Sequence, residues 1–234
     1  MVLVYLCAFI DVFSFFGQEI QGNSLNIILP VGISFYTFQT LSYTIDVYKR
    51  KLNPTTDFIS FSAFVSFFPQ LVAGPIERAA NLLPQFYKKR TFHYSNAVDG
   101  MRQILWGLFK KIVIADNCAE YANLIFNNST DYSGSTLVLG AIFFTFQIYC
   151  DFSGYSDIAI GTSRLFGFNL KQNFAFPYFS RDIAEFWRRW HISLSTWFRD
   201  YLYIPLGGSR GSMGIKTRNI FIVFIVALYS GRDL

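Results

Sequence analysis

Charge is scarce in this chain. Only 15% of its 234 residues are Asp, Glu, Lys or Arg, whereas an ordinary soluble domain carries about 25%. A water-facing surface for a globule of this size cannot be built from so few charges, and intrinsic disorder, which needs more of them, is excluded as well. Cysteine is scarce too. Cys7, Cys118 and Cys150 are too few and too scattered for a disulfide framework or a metal site, and each lies in or beside an apolar stretch, where a thiol behaves as a small hydrophobe. The net charge of +5 does not make a nucleic-acid module, because the basic residues fall in blocks between long uncharged runs. No Gly-x-Ser-x-Gly elbow, zinc-ligand spacing or His-Glu-x-x-His is present, and the basic, glycine-rich stretch 207–214 has the wrong spacing for a phosphate loop and reads as a flexible turn. Neither a metal nor a nucleic acid is expected.

What the chain does have is apolar residues, 52% hydrophobic with 20% aromatic, and that composition points to lipid. Crossing the hydrocarbon core takes about twenty mainly apolar residues in a helix. Residues 25–45 read as one such helix, with Pro30 near its start. Residues 58–76 are also uncharged but are interrupted by Pro69, Gly74 and Pro75, which suits a broken or re-entrant helix. Residues 137–150 form an apolar run that ends at Asp151; residues 1–16 and 219–230 are further runs, and 104–115, with Lys110 and Lys111, is a weaker one. Residues 1–16 lack the basic start and cleavage site of a signal peptide. Lys and Arg crowd 46–57, 77–103 and 151–218 and are missing from 17–24 and 116–135. The first three stretches are therefore expected in the cytoplasm and the last two outside.

The stretch 151–208 holds the chemistry. It opens with Asp151 and Asp157 in a polar cluster against an apolar helix, where carboxylates are solvated or face a cavity. At 100° per residue, 181–201 reads as one amphipathic helix. Ile183, Trp187, Trp190, Leu194, Phe198 and Tyr201 share an apolar face with Phe186 and Trp197 at its edge, Arg181, Arg188 and Arg199 share a basic one, and His191 lies at the seam. An interfacial helix with Trp and Arg at headgroup level accounts for most of these residues, and a lone histidine is more often structural than catalytic. An imidazole at such a border can nonetheless take and return a proton near neutral pH. His93, in the basic stretch 88–95, reads as a surface residue.

Four segments carry a resemblance: Leu29-Pro-Val-Gly-Ile-Ser-Phe-Tyr-Thr-Phe-Gln39, Phe68-Pro-Gln-Leu-Val-Ala-Gly-Pro-Ile-Glu-Arg78, Cys150-Asp-Phe-Ser-Gly-Tyr-Ser-Asp-Ile-Ala159, and the stretch 173–208 with Phe186-Trp-Arg-Arg-Trp-His191. The chain resembles the bacterial membrane-bound O-acyltransferases (MBOAT) of the alginate O-acetylation type, relatives of the teichoic-acid D-alanylation proteins. The resemblance implies an all-α, multi-spanning membrane fold with re-entrant and amphipathic cytoplasmic helices, in a multi-pass protein of a bacterial inner membrane. It implies transfer of an acyl group, typically acetyl, from a cytoplasmic donor such as acetyl-CoA to a hydroxyl of an exported polysaccharide, with no bound cofactor. A periplasmic acetyltransferase is an expected partner. His191 matches the first family histidine, expected in a supporting or donor-side role; Arg188, Arg199, Trp190, Asp151 and Asp157 are the expected substrate-binding residues. The second family histidine sits in a later Trp-His-Gly, whereas here the sequence reads Ser230-Gly-Arg-Asp-Leu234. Residues 1–234 are thus expected to be one domain, incomplete at its start and cut before that motif. An acyl-group transporter handing its cargo to a periplasmic transferase, or an inactive fragment, are the rival readings.

Overall fold

The computed structural model describes residues 32–71 and 74–231, all within the unit Val31–Leu234. The run 1–16 and the first part of 25–45 lie outside the described residues. Every regular element among the described residues is helical, in line with the expected all-α class.

Helix α1 (Ile33–Tyr48) follows Gly32, whose φ of +79° is left-handed. A side chain there would run into the Leu71 carbonyl at 2.2 Å, so only glycine fits. The expected broken helix is present as α2 (Phe58–Val65) and α3 (Phe68–Leu71). Asp57 caps α2 by accepting from the N–H groups of Ile59 and Ser60 at 3.0 and 3.2 Å. Helix α4 (Ala79–Tyr87) packs Leu82 and Leu83 against Phe64, Phe67 and Phe168.

Helix α5 (Tyr94–Leu108) runs on into a π-helical segment, Phe109–Ala115, and then α6 (Asp116–Asn127). Its partner is α7 (Gly134–Leu165), which among the described residues is the one helix long and apolar enough to cross a membrane. At about 1.5 Å per residue, its 32 residues exceed a bilayer core of roughly 30 Å. The cluster Asp151–Asp157 is therefore not a loop leaving the apolar run; it is the interior of the same helix. Its small residues explain why. Gly154 faces Gly107 and Gly161 faces Gly100, so close that a Cβ on any of the four would meet the opposing carbonyl oxygen at 2.6–2.8 Å. Glycines seven apart on both helices let the two backbones touch, an approach that membrane helices use to gain dispersion contact.

The expected single helix over 181–201 is broken. Helix α8 (Ile183–Arg189) ends at Trp190, His191 stands in the left-handed region (φ +43°), and α9 (Ile192–Phe198) leads into a π-helical turn, Arg199–Tyr203. Helix α10 (Met213–Gly231) follows. The glycine-rich turn before it is tied down, because the Asn219 amide donates to the carbonyls of Leu206 and Gly208 at 3.1 and 3.2 Å.

Candidate active site

Asn173 causes the break. Its carbonyl accepts the Ile192 N–H at 2.9 Å while the Ala175 N–H goes to Arg189 O at 3.0 Å, so that past Trp190, whose N–H still bonds Phe186 O at 2.8 Å, the chain pairs with 173–175 instead of continuing the helix. The Asn173 side chain is fully buried. Its Oδ1 accepts from Ser193 N–H (3.2 Å) and Ser193 Oγ (2.9 Å) and lies 3.0 Å from His191 Nδ1. A backbone N–H can only donate, which identifies that amide atom as the oxygen. His191 Nδ1 must then carry the proton, and Nε2 is left as the basic nitrogen. Ser193 Oγ in turn accepts the Ile76 N–H at 3.0 Å, joining this turn to the end of the broken-helix segment.

The imidazole is 7% exposed. Phe152 meets it edge-on at 4.8 Å, and Phe174 stacks at 6.5 Å. This apolar surround disfavours the imidazolium and lowers the His191 pKa from 6.5 to about 4. Trp190 lies beside it among Phe174, Phe186 and Tyr149, with ring centroids at 5.2, 5.5 and 6.2 Å. At the start of α8, the Asp182 side chain accepts the Glu185 N–H at 2.6 Å, and Glu185 accepts from the Arg181 N–H at 2.9 Å. With the Arg181 and Arg189 guanidiniums also on it, Glu185 is held at about 2.

The expected binding residues fall into separate groups. Asp157 belongs to a polar cluster: Lys110 Nζ donates to its Oδ2 at 2.5 Å and to Ser153 Oγ at 2.9 Å, and Gln103 Nε2 donates to its Oδ1 at 2.9 Å. Asp151 pairs with the neighbouring Lys111 at 2.7 Å. Arg199 is bound to Asp200 at 2.7 Å, and Asp200 also holds Arg78 at 2.6 Å. Arg188 is exposed and makes no hydrogen bond to a described residue. Trp190 and His191 adjoin one another, and Asp157 shares a cavity wall with Asn173; Asp151, Arg188 and Arg199 do not line that cavity.

Sequence reasoning missed Asn173, Lys110 and Glu77. Glu77 is fully buried, accepts from Asn81 Nδ2 at 2.6 Å and from the Lys171 N–H, and so moors the strand-like stretch that carries Asn173. Charged or amide residues inside apolar segments were the available signal for all three, since such groups are costly there unless paired.

A helical scaffold built on glycine-mediated contact, with one helix long and apolar enough to cross a membrane and a buried imidazole in a broken amphipathic segment, suits a membrane protein with a polar site. The model of MBOAT, the membrane-bound O-acyltransferase family, matches residues 50–228, and the chain belongs to that family. It is 48% identical over 201 residues to a Pseudomonas aeruginosa protein named "Probable alginate O-acetylase AlgI", covering 86% of this chain and 38% of that protein. It is 42% identical to a Helicobacter pylori peptidoglycan O-acetyltransferase (87% and 44% covered) and 31% identical to a Bacillus subtilis teichoic acid D-alanyltransferase (76% and 46%). The chain thus spans less than half the length of these relatives.

Proposed function

We propose that this chain is part of a membrane O-acyltransferase that moves an acyl group, acetyl in the first instance, from a cytoplasmic donor to a hydroxyl of a cell-surface polysaccharide. Family membership and relatives named for alginate and peptidoglycan O-acetylation support the acceptor class. The distribution of Lys and Arg supports a multi-pass inner-membrane protein with its donor side in the cytoplasm. In the reaction, the acceptor oxygen attacks the donor carbonyl, the carbon–sulfur bond breaks, and the hydroxyl proton ends on the departing thiol.

The buried His191, its tautomer fixed by Asn173, carries the reading of the site. An efficient general base has a pKa near the working pH. His191 titrates at about 4, which makes its imidazolium at neutral pH costly by about 4 kcal/mol. Its Nε2 therefore serves as a hydrogen-bond acceptor that orients the donor side rather than as the residue that holds the transferred proton. Asp200 already engages Arg199, so Arg188 is the arginine of this segment left to meet an anionic donor. Replacing His191 by Ala in the protein expressed from its own locus, at unchanged membrane abundance, abolishes O-acetylation of the polysaccharide. Wild-type acetyl content in that strain refutes the role.

A further inference from the structure

A basic hollow and an apolar stripe meet at the start of α5. The hollow, about 340 Å³, is lined by Lys88, Lys89, Arg90, Asn96, Ala97 and Arg164 among others. Lys88 and Lys89 are exposed and have no ion-pair partner among the described residues. Arg90 is held in place, its guanidinium 4.2 Å from the Phe168 ring centre and its Nη1 donating to Gln85 O at 2.9 Å. No carboxylate among the described residues lines the hollow; Asp99 reaches it only through its ion pair with Arg164. Helix α5 itself starts without a side-chain cap or an acidic residue in its first turn. The positive charge gathered there is left unbalanced by the described residues.

The stripe begins at the same place. At 100° per residue, Tyr94, Ala97, Met101, Leu105 and Leu108 fall within an arc of about 80°, and Tyr94, Met101, Leu105 and Leu108 are 77%, 57%, 69% and 39% exposed. Gly100 and Gly107, which meet α7, lie on a different side of the helix. At 1.5 Å per residue the stripe is about 21 Å long, more than the roughly 15 Å of hydrocarbon in one leaflet. The depth agrees. Helix α7 is about 48 Å long, so with its apolar run 137–150 in the hydrocarbon, its last turn at Arg164 reaches the headgroup layers that bring a bilayer to about 40–45 Å. The hollow thus lies at phosphate level with Tyr94 beside it, a residue suited to that boundary, and the stripe leads from it toward the membrane interior.

A free phosphate would use the hollow and leave the stripe bare, whereas a lipid uses both. A zwitterionic headgroup would bring its ammonium among Lys88, Lys89 and Arg164 and lose by repulsion what its phosphate gains. We propose that hollow and stripe bind one anionic phospholipid of the cytoplasmic leaflet: its phosphate accepts charge-assisted hydrogen bonds from Lys88, Lys89 and Arg164, and an acyl chain lies along Tyr94–Leu108. The site needs nothing from the acyltransferase reading; only the choice of leaflet rests on the Lys and Arg distribution.

The full chain is placed in phosphatidylcholine nanodiscs with a small share of photoreactive lipid, the same acyl-chain probe being carried by phosphatidylglycerol or by phosphatidylcholine. On illumination the phosphatidylglycerol probe labels the stripe 94–108, Met101 and Leu105 above all, roughly tenfold more than the phosphatidylcholine probe. Inorganic phosphate does not suppress the label. Lys88→Gln/Lys89→Gln changes exposed side chains, so thermal stability holds. Its affinity for phosphatidylglycerol, read by competition with unlabelled lipid at low salt, falls about 25-fold, roughly fivefold for each basic residue facing anionic lipid. Raised salt shrinks that difference. Equal labelling of the stripe by both probes marks an unselective lipid contact and overturns the proposal; suppression by phosphate marks a free-phosphate site and does the same. A label that falls elsewhere on the chain, meaning that protein covers the stripe, or a double variant that binds within twofold of wild type, also overturns it.

Discussion

The α5–α7 seam gives the sharpest test of the fold. A methyl group added at Gly161 would lie 2.6 Å from Gly100 O, 2.8 Å from Ile104 Cγ1 and 3.0 Å from Ile104 N, where ordinary contact starts at 3.4 Å. Two of those atoms are backbone and cannot swing aside, so the helices must part by about 0.8 Å at that point. A gap of that size forfeits roughly a quarter to a half of the dispersion energy of the atoms that lose contact, and overpacking of this kind costs about 1–3 kcal/mol. Against it stands the better helix propensity of alanine, worth about 1 kcal/mol. Packing wins because the seam is doubled at Gly107 and Gly154 and also carries the Lys110–Asp157 and Asp99–Arg164 pairs, which separation loosens. Gly161→Ala therefore destabilises by up to about 2 kcal/mol, at roughly 2–4 °C of Tm per kcal/mol for a chain this long. Gly134, the first residue of α7, has nothing within 4 Å of its Cβ position, so Gly134→Ala leaves stability unchanged or slightly raised. Thermal unfolding of both variants in the same detergent decides the matter. If Gly161→Ala melts at or above wild type, propensity outweighs contact and the close approach is not what holds these helices together.

Acid weakens the fold through His191. Its folded pKa of about 4 lies below the ordinary 6.5, so the unfolded chain binds the proton first, and about 3 kcal/mol is lost as pH falls from 6.5 to 4; a His191→Gln variant that melts with the same pH slope over that window refutes the assignment. Lys110→Met strands Asp157, whose side chain is 21% exposed, and costs about 2–3 kcal/mol, whereas Lys110→Met/Asp157→Leu recovers most of it; a double variant as unstable as the single would mean that the ion pair is not the stabilising element. Tyr201 donates to Asp46 Oδ2 at 2.6 Å, so Tyr201→Phe leaves a buried carboxylate short of one donor at a cost of about 1.5–3 kcal/mol; an unchanged denaturation midpoint would show the bond to be dispensable.

Local chemistry was legible in the sequence where partners are close along the chain. Pro69, in the first turn of α3, and Gly74, just past its end, mark the interrupted segment, and the uncharged run up to Cys150 marks α7. Periodicity failed where a distant residue took over the backbone. Nothing within 181–201 announces that Asn173, eighteen positions before His191, captures the Ile192 and Ser193 N–H groups, so a continuous helical pattern was split. The cluster at Asp151 and Asp157 misled for a related reason: its carboxylates belong inside a helix because Lys111 and Lys110 lie opposite them. The glycine spacing of seven, present at 100 and 107 and again at 154 and 161, was the visible clue to that pairing.

Asn173 shows why an amide occupies this junction. One side-chain atom must accept from Ser193 and His191 so that the imidazole keeps its proton on Nδ1. The other, Nδ2, must donate, since it is buried in the cavity wall with no described partner. A carboxylate would meet the first demand, but its charge would favour the imidazolium and erase the depressed pKa; it would also have no N–H to offer the cavity. A hydroxyl is too short to serve both sides. The same bond network reaches Ile76 through Ser193 and Glu77 through Lys171, so the end of the broken-helix segment, the histidine turn and the polar cavity share one rigid core. A guest that bonds Asn173 Nδ2 therefore pulls on the residue that sets the orientation of His191, so that occupancy of the cavity and imidazole geometry are coupled through a single side chain.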